Sequence, residues 1–364
     1  MDINAKYADL LVNYSLKVKK GDKFLIRASY LAEDLVKEIY RAALQAGAHP
    51  ELQISLDGTD RILYENASDE QLEYVSPTNK IVFESYDALL NILSPFNMKT
   101  LQSIDAEKKQ KVSLARSDLM KTFFKRAAAG EFNWSLCVHP TNAAAQESGM
   151  SLDEYAEFVY SACYLNEDDP VAKWKQVNEQ QQVICDRLNK ATKIKYAGPD
   201  IDISFVTEGR TWINSSGNKN MPDGEVFTAP VEDSVNGKIR FSYPGFYMGQ
   251  EIEDIRLEVK DGEVVDWSAA KGKDLLDKIF EIPGSRRFGE VAIGTNHGIK
   301  KFTKNMLFDE KIGGTVHMAI GATIPESGGK NESAIHWDML ADMTNGGHIY
   351  ADDELVYENG HFKI

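Results

Sequence analysis

The sequence is poor in cysteine, and none of its cysteines stands in a pair. Cys137, Cys163 and Cys185 are the three cysteines of the 364-residue chain, and they lie in apolar segments such as "WSLCVHP" and "YSACYL". An odd count without a CxxC spacing gives no disulfide framework. We therefore expect buried free thiols and a reducing compartment.

Long apolar runs and an excess of positive charge are also missing. No run approaches the length of a membrane-spanning helix, and the start, "MDINAKYADL", has no apolar core of a signal peptide. The formal net charge of −15 argues against nucleic acid or an anionic membrane as a partner. We expect a cytoplasmic protein whose acidic surface favours metal ions and protonated amines.

Several catalytic motifs are absent as well. The chain contains no GxSxG elbow, no Walker loop, no GxGxxG after a strand and no HExxH. A serine or cysteine nucleophile therefore has no local support. What the second half of the chain offers instead is a set of acidic and imidazole groups.

Short β patterns alternate with helical patterns in the first half. "KFLIRAS" and "PELQISL" read as strands around a helix that Gly47 terminates, "KIVFES" as a third strand, and "WSLCVHP" as a fourth after a helical region near 105–129. Two more helices follow, in "SLDEYAEFVYSACYL" and between Trp174 and Leu188. This alternation predicts a mainly parallel sheet flanked by helices.

The pattern changes after residue 193. "KIKYAG", "IDISFVT", "TWINSS", "GKIRFSY" and "IRLEVKDGEVVDWS" look like strands with tight turns, including a hairpin at Asp261-Gly262, and one helix near "GKDLLDKIFEI" interrupts them. At 364 residues two domains are expected. We predict an α/β N-terminal domain over 1–190 and a β-rich α+β C-terminal domain over 191–364.

The segment "SAIHWDML" places two metal-ligand side chains two residues apart. In a strand, residues i and i+2 share a face, so His336 and Asp338 would point into one space. Ile335, Trp337 and Met339 would then pack on the other face. By itself the pair says little, because an HxD alternation often arises by chance.

Further acidic and imidazole groups stand in short, unusual segments of the same half. They are Glu225 in "MPDGEVFTAP", Glu290 in "SRRFGEVAIG", Glu310 in "LFDEKIGG" and His317 in "GTVHMAIG". Each has an ordinary explanation when taken alone, as a surface carboxylate, a hydrogen-bonded histidine or, for Glu290, an ion pair with Arg286 or Arg287.

Taken as one set, these residues fit a hydrolase that uses two metal ions. A dinuclear centre needs about five or six protein ligands, because carboxylates bridge the ions. Oxygen and nitrogen ligands without thiolate suit zinc, cobalt, manganese or magnesium. Two such cations would hold a shared water as hydroxide and polarise a substrate carbonyl.

The segments that carry these residues resemble those of the thermophilic-type metallo-aminopeptidase family, which includes aminopeptidase T and the PepS- and AmpS-like enzymes. "EVFTAP", "RRFGEVAI", "LFDEKIGGTVHMAIG" and "GGKNESAIHWDM" occur in the family's order. The likeness extends to "VKKGDKFLIRAS" and "EDDPVAKW", so it covers essentially the whole chain.

The resemblance implies an aminopeptidase that releases N-terminal residues from short peptides by attack of a metal-bound hydroxide. By motif, it implies that two divalent ions are held by Glu225, Glu290, His317, His336 and Asp338. Glu310 would be a further ligand or the general base, and its spacing to His317 is longer than in the type enzyme. The resemblance also implies a homodimer whose sites face an enclosed space.

One position departs from the family pattern. The block "GxxYPETGG" reads "GATIPESGG" here, so that Ile324 stands where the family has a tyrosine. A tyrosine hydroxyl would donate a hydrogen bond to the developing oxyanion, and loss of one such donor typically costs about 100- to 1000-fold in turnover. Thr323 is expected to point to the opposite face, whereas Tyr243 or Tyr247 could supply the donor.

Because of Ile324, two other functions stay open. One is another dinuclear-metal hydrolase, which would cleave an amide or a phosphoester. The other is a peptide- or metal-binding homologue with weakened catalysis. A panel of peptides tests the first alternative, and the substitution Ile324→Tyr tests the second.

Overall fold

The computed structural model describes residues 2–364, which form two compact units. The first unit contains the residues up to 172 together with 217–222, and the second contains 173–216 and 223–364. The helix that begins at Pro170 therefore belongs almost wholly to the second unit, where Ile184 and Leu188 join the hydrophobic core. The domain boundary at residue 190 stays a prediction.

The helices concentrate in the first unit and include several with recognisable end signals. The α-helices are α1 (Ile3–Asp9), α2 (Glu33–Gln45), α3 (Thr59–Asn66), α4 (Asp69–Leu72), α5 (Pro77–Ser85), α6 (Ala106–Ala115), α7 (Ser117–Ala128), α8 (Asn142–Glu147), α9 (Leu152–Ala162), α10 (Pro170–Leu188), α11 (Lys273–Ile279) and α12 (Met306–Asp309). A π-helical segment covers Leu10–Ser15, and 3-10 turns cover Tyr30–Ala32 and Pro325–Ser327. Ser151 and Glu154 form a capping box at the start of α9.

The strands divide between the two units. They are β1 (Lys23–Ser29), β2 (His49–Ser55), β3 (Ala88–Leu93), β4 (Asn133–Val138), β5 (Lys193–Gly198), β6 (Ile201–Val206), β7 (Ile213–Ser215), β8 (Asn220–Met221), β9 (Glu225–Thr228), β10 (Asn236–Phe241), β11 (Gly245–Tyr247), β12 (Gln250–Ile252), β13 (Ile255–Lys260), β14 (Glu263–Ser268), β15 (Phe288–Gly294), β16 (Thr315–Gly321), β17 (His336–Asp342), β18 (His348–Ala351), β19 (Glu354–Glu358) and β20 (His361–Phe362). The predicted hairpin at Asp261-Gly262 joins β13 to β14, and both turn residues have positive φ.

The first unit is built on a parallel sheet. Its strands follow the order β2-β1-β3-β4-β8, and every pairing found within residues 2–364 for this sheet is parallel. Helices join successive strands, as the alternation of patterns predicts. The expected α/β class of the N-terminal half is therefore confirmed, as is the strand-rich second half.

One predicted strand of the first unit is wrong. "KIVFES" belongs to helix α5, and the strand follows it as "ALLNIL" in β3. Pro77 occupies the first turn of α5, where its fixed φ suits a helix. An N–H group at this position would have no partner within the helix, so its absence from proline costs nothing. A short apolar run is ambiguous between helix and strand, and here Val82 and Phe83 are buried from a helix.

The second unit contains two larger antiparallel sheets and the hairpin β11–β12. One sheet has the strand order β14-β13-β10-β6-β5-β18-β19-β20, and the other has the order β17-β16-β15-β9-β7. Side chains from both sheets form one hydrophobic cluster, which includes Tyr196 and Phe205 from the first and Val291 and Met318 from the second. This shared core fixes the smaller sheet, whose other face carries the candidate ligands.

Over residues 2–364, none of the helices combines the length and the apolar character that spanning a membrane requires.

Candidate metal centre

One face of the smaller sheet carries the candidate ligands among small residues. Glu225 in β9 lies opposite Gly294 of β15, and Glu290 of β15 lies opposite Ala319 of β16. Ala319 also lies opposite Asp338 of β17. By the two-residue period of a strand, the candidate ligands that share this face are Glu225, Glu290, His317, His336 and Asp338. Alanine and glycine between them leave room above the sheet.

The opposite face of the same strands is apolar. Val291 of β15 and Met318 of β16 are fully buried in the hydrophobic core. Trp337 and Met339 of β17 are buried there too, and Ile335 packs against the same cluster. The prediction that Ile335, Trp337 and Met339 pack on one face of "SAIHWDML", with His336 and Asp338 on the other, is therefore confirmed.

Glu290 lies between the two histidines. The Nε2 atom of His317 is 3.5 Å from one oxygen of Glu290, and the Nε2 atom of His336 is 3.3 Å from the other. His317 Nε2 also lies 3.1 Å from Oε2 of Glu225, and His336 Nε2 lies 3.6 Å from Oδ2 of Asp338. Two groups of three candidate ligands therefore share Glu290: Glu225, Glu290 and His317 form one, and Glu290, His336 and Asp338 form the other.

Several atoms of the candidate ligands are buried without a hydrogen bond. Within residues 2–364 they include Nδ1 of His317 and Oδ1 of Asp338, whereas Nε2 of His317 and Oε2 of Glu225 lie 3.1 Å from each other. Each group of three offers donor atoms that all lie within 4.8 Å of one another. Unpaired buried nitrogen and oxygen donors that converge on a common space fit a divalent cation.

The electrostatics of this face favour positive charge. Burial alone lowers the pKa of His336, but Glu290 and Asp338 outweigh it and raise that pKa to about 10. Burial alone raises the pKa of Glu290, but His317 and His336 lower it to about 2. The carboxylates likewise raise the pKa of buried His317. A site that stabilises added positive charge so strongly meets the electrostatic requirement of a cation site.

Glu310 lies beside this cluster but belongs to neither group of three. It follows helix α12, and its carboxylate contacts the ammonium of Lys311. Burial raises the pKa of Glu310 to about 8, although Lys311 lowers it. Its place outside both groups of three separates Glu310 from the five convergent residues.

Lys311 is a charged group of this site that no sequence pattern predicted. Its side chain is fully buried, and Nζ lies 3.3 Å from Oε1 of Glu225 in addition to its contact with Glu310. Burial lowers the pKa of Lys311, but Glu225 and Glu310 outweigh it and raise that pKa. The only signal in the sequence is the run of three charges in "LFDEKIGG", between apolar residues.

The loop after β16 carries Ile324 and connects to the ligand face through His336. The Nδ1 atom of His336 is 2.7 Å from the carbonyl oxygen of Ala322, two residues before Ile324. Ile324 precedes a 3-10 turn, and its own carbonyl accepts hydrogen bonds from the N–H and the hydroxyl of Ser327. Its side chain has no hydrogen-bond donor, so this loop position cannot replace the hydroxyl of tyrosine.

The two tyrosines considered as replacements have aromatic partners. Tyr243 stacks on Phe302 with ring centroids 5.2 Å apart. Tyr247 packs at 5.9 Å from Trp337, which belongs to the apolar face of β17. Tyr247 is thus placed with the core side of β17, opposite to the face of His336 and Asp338.

Comparison with known proteins extends over nearly the full chain. Aminopeptidase 2 of Geobacillus stearothermophilus is 29% identical over 377 residues, covering 92% of this chain and 90% of its own. Aminopeptidase AmpS of Bacillus subtilis is 28% identical over 404 residues, covering 98% of both chains. Aminopeptidase T of Thermus aquaticus is 25% identical over 375 residues, covering 92% and 91%.

The fold has a close match among solved structures. Wild-type AmpT from Thermus thermophilus superposes with a TM-score of 0.83 at 23% identity, covering 100% of this chain and 99% of that one. The family model described as thermophilic metalloprotease (M29) matches residues 3–362. This chain therefore belongs to the thermophilic metalloprotease family M29.

Proposed function

We infer that this chain is a metal-dependent aminopeptidase, which releases N-terminal residues from peptides at the ligand face of the smaller sheet. The family match over residues 3–362 supports a metalloprotease, and the relatives named above are aminopeptidases. The observation that carries the assignment is the pair of candidate ligand groups that share Glu290, in which every member except His336 is buried. The alternatives of another hydrolase or a binding protein find no support among these relatives.

The centre is proposed to hold two divalent ions. Glu225, Glu290 and His317 would hold one ion, and Glu290, His336 and Asp338 would hold the other, so that Glu290 belongs to both sets. Cations at these positions supply Lewis acidity toward the scissile carbonyl and lower the pKa of an attacking water. Nitrogen and oxygen donors without thiolate are compatible with zinc, cobalt, manganese or magnesium.

Glu310 is proposed as the general base of the reaction. It lies next to the ligand groups without joining them, and Lys311 holds its carboxylate. A carboxylate in this position can accept a proton from water and deliver it to the leaving amine. The substitution Glu310→Gln should therefore lower kcat while the metal content of the protein stays unchanged.

Access to the centre is proposed to run past His336. The side chain of His336 is 30% exposed, whereas those of Glu290 and His317 are nearly or fully buried. A peptide that approaches from this side meets the carboxylates before the core. We also propose that the substrates are short peptides. Light scattering tests the further proposal that the chain forms a homodimer, and cell fractionation tests a cytoplasmic location.

The function is tested by chelation against a panel of aminoacyl p-nitroanilides and dipeptides. Dialysis against a chelator should abolish hydrolysis, and added Zn²⁺, Co²⁺ or Mn²⁺ should restore it. A panel of phosphoesters and N-acetylated peptides serves as the control, because neither offers a free N-terminal amine next to the scissile bond. Undiminished hydrolysis after removal of all metal would contradict the assignment.

A further inference from the structure

Lys311 is held in place by its backbone as well as by its charge. Its N–H donates to the carbonyl of Phe308 at 3.1 Å, and its carbonyl accepts from the N–H of Asn296 at 3.0 Å. The side chain is 0% exposed and reaches the carboxylates of Glu225 and Glu310. Lysine is almost never fully buried unless it is paired, so this ammonium is a fixed part of the cluster.

The ammonium lies on one side of the cluster only. Glu225 turns Oε1 toward Lys311 and Oε2 toward His317, at 3.3 Å and 3.1 Å. The group formed by Glu225, Glu290 and His317 therefore shares a carboxylate with Lys311. In the part of the chain that the structure describes, the ion pairs of Lys311 include neither Asp338 nor His336.

We propose that Lys311 is a positioning residue that makes the two metal positions unequal, with the position at Glu225 weaker than the position at Asp338. The proposal rests on the two-ion centre proposed above. An ammonium next to Glu225 partly neutralises the negative charge of that carboxylate and repels a cation that the carboxylate would bind. The position of His336 and Asp338 has no such neighbour and keeps the full charge of its carboxylates. Glu310 serves as counter-ion to Lys311, since its carboxylate contacts the same ammonium.

The test is calorimetric titration of the metal-free full chain with Zn²⁺. Wild-type protein should show two binding steps whose dissociation constants differ by at least about tenfold. Asp338→Asn should weaken the tighter step, and Glu225→Gln should weaken the other, which assigns each step to its position. Lys311→Met should tighten the weaker step at least about tenfold and leave the tighter step within about threefold.

Matched variants separate charge from packing. Lys311→Arg keeps the positive charge and should preserve the ratio of the two Zn²⁺ dissociation constants. Lys311→Gln removes the charge but keeps a hydrogen-bonding group, and it should lower that ratio. Lys271→Met is the control, because Lys271 also pairs with two carboxylates, Glu251 and Glu253, but is exposed and should leave both steps unchanged. If Lys311→Met does not fold, Lys311→Gln provides the result.

Two outcomes would overturn the inference and leave the aminopeptidase assignment intact. These are equal affinities of the two steps in wild-type protein, and weaker Zn²⁺ binding after removal of the charge at Lys311. A wild-type chain that binds no Zn²⁺ would overturn the proposed function as well.

Discussion

The two units differ in the kind of polar group that they bury. Among residues 2–172 and 217–222, the buried serine and threonine side chains are Ser15, Ser29, Ser94, Ser135 and Thr141, and no Asp, Glu, Lys, Arg or His is buried. In the second unit the buried ionisable side chains include Asp223, Glu225, Glu290, Asp309, Lys311, His317 and Asp338. The first unit therefore buries polar side chains that are uncharged, whereas the second unit buries a cluster of ionisable side chains around its smaller antiparallel sheet.

This difference locates the chemistry of the molecule. An unpaired buried hydroxyl costs only about 1–3 kcal/mol, whereas an isolated buried charge costs far more and persists only with partners. Charges of the second unit pair with one another, and Nδ1 of His317 and Oδ1 of Asp338 remain without a hydrogen bond in the described residues. A set of buried charges whose donors still point to a common space is expected where the protein binds a cation.

The largest effect is expected from Glu290→Gln, since Glu290 belongs to both ligand groups. Loss of a single supporting partner of a metal ligand costs about 10- to 100-fold in metal affinity, so loss of the shared ligand should cost at least about 100-fold. Metal content and Zn²⁺ titration measure this effect, and hydrolysis should fall with it.

The matched control for Glu290→Gln is Glu258→Gln on β13. Glu258 is partly exposed and pairs with Lys238 at 2.8 Å on the surface of the larger sheet. Removing this pair should change stability by at most about 1 kcal/mol and leave the metal content unchanged. A Glu290→Gln protein with the metal content of Glu258→Gln would show that the buried cluster is structural.

The next effect is a gain expected from Ile324→Tyr. If the oxyanion lacks a donor, a tyrosine hydroxyl at this position should raise kcat by up to about 100-fold with little change in KM. Ile324→Leu is the control, because it changes the shape of the side chain without adding a donor. An unchanged kcat in Ile324→Tyr would mean that another group of the site already donates that hydrogen bond.

A smaller effect on stability is expected when the metal is removed. Metal at 100 times its dissociation constant stabilises the folded state by about 2.7 kcal/mol. Hydrogen exchange should therefore become faster in β9, β15, β16 and β17 after chelation, while β1, β3 and β4 keep their protection. Equal loss of protection in both units would contradict the division between them.

The smallest effect is expected from Ser135→Ala in the first unit. Ser135 is fully buried in β4, and its hydroxyl is among the buried atoms that lack a hydrogen-bond partner within residues 2–364. Its removal should change the free energy of unfolding by no more than about 1 kcal/mol, and activity should stay constant. Urea unfolding measures this, and a loss of more than about 2 kcal/mol would show a hidden hydrogen bond.

Local patterns in the sequence predicted much of the fold. The strand "KFLIRAS", the capped helix α9 and the Asp261-Gly262 hairpin all carry signals within a few neighbouring residues. The run "KIVFES" was assigned wrongly because its apolar residues fit either period, and Pro77 at the helix start decided the outcome. Pairing between distant strands leaves no such local signal.

The candidate site also has one part that the sequence predicts and another part that it does not. The alternation of His336 and Asp338 could be read directly, because a strand exposes the two side chains on one face. Their convergence with Glu225 and Glu290 depends on the register of four strands, which only the structure and the family resemblance supply. Lys311 was missed because nothing local distinguishes a buried lysine from a surface one.

The central claim is that the ligand face around Glu290 is a metal centre that hydrolyses peptides. The most direct measurement adds Zn²⁺ stepwise to the metal-free protein and follows the hydrolysis of an aminoacyl p-nitroanilide together with the bound metal. Hydrolysis should be absent without metal, rise as metal binds and reach its maximum when two ions are bound per chain. Hydrolysis by the metal-free protein, or full metal binding by Glu290→Gln, would contradict it.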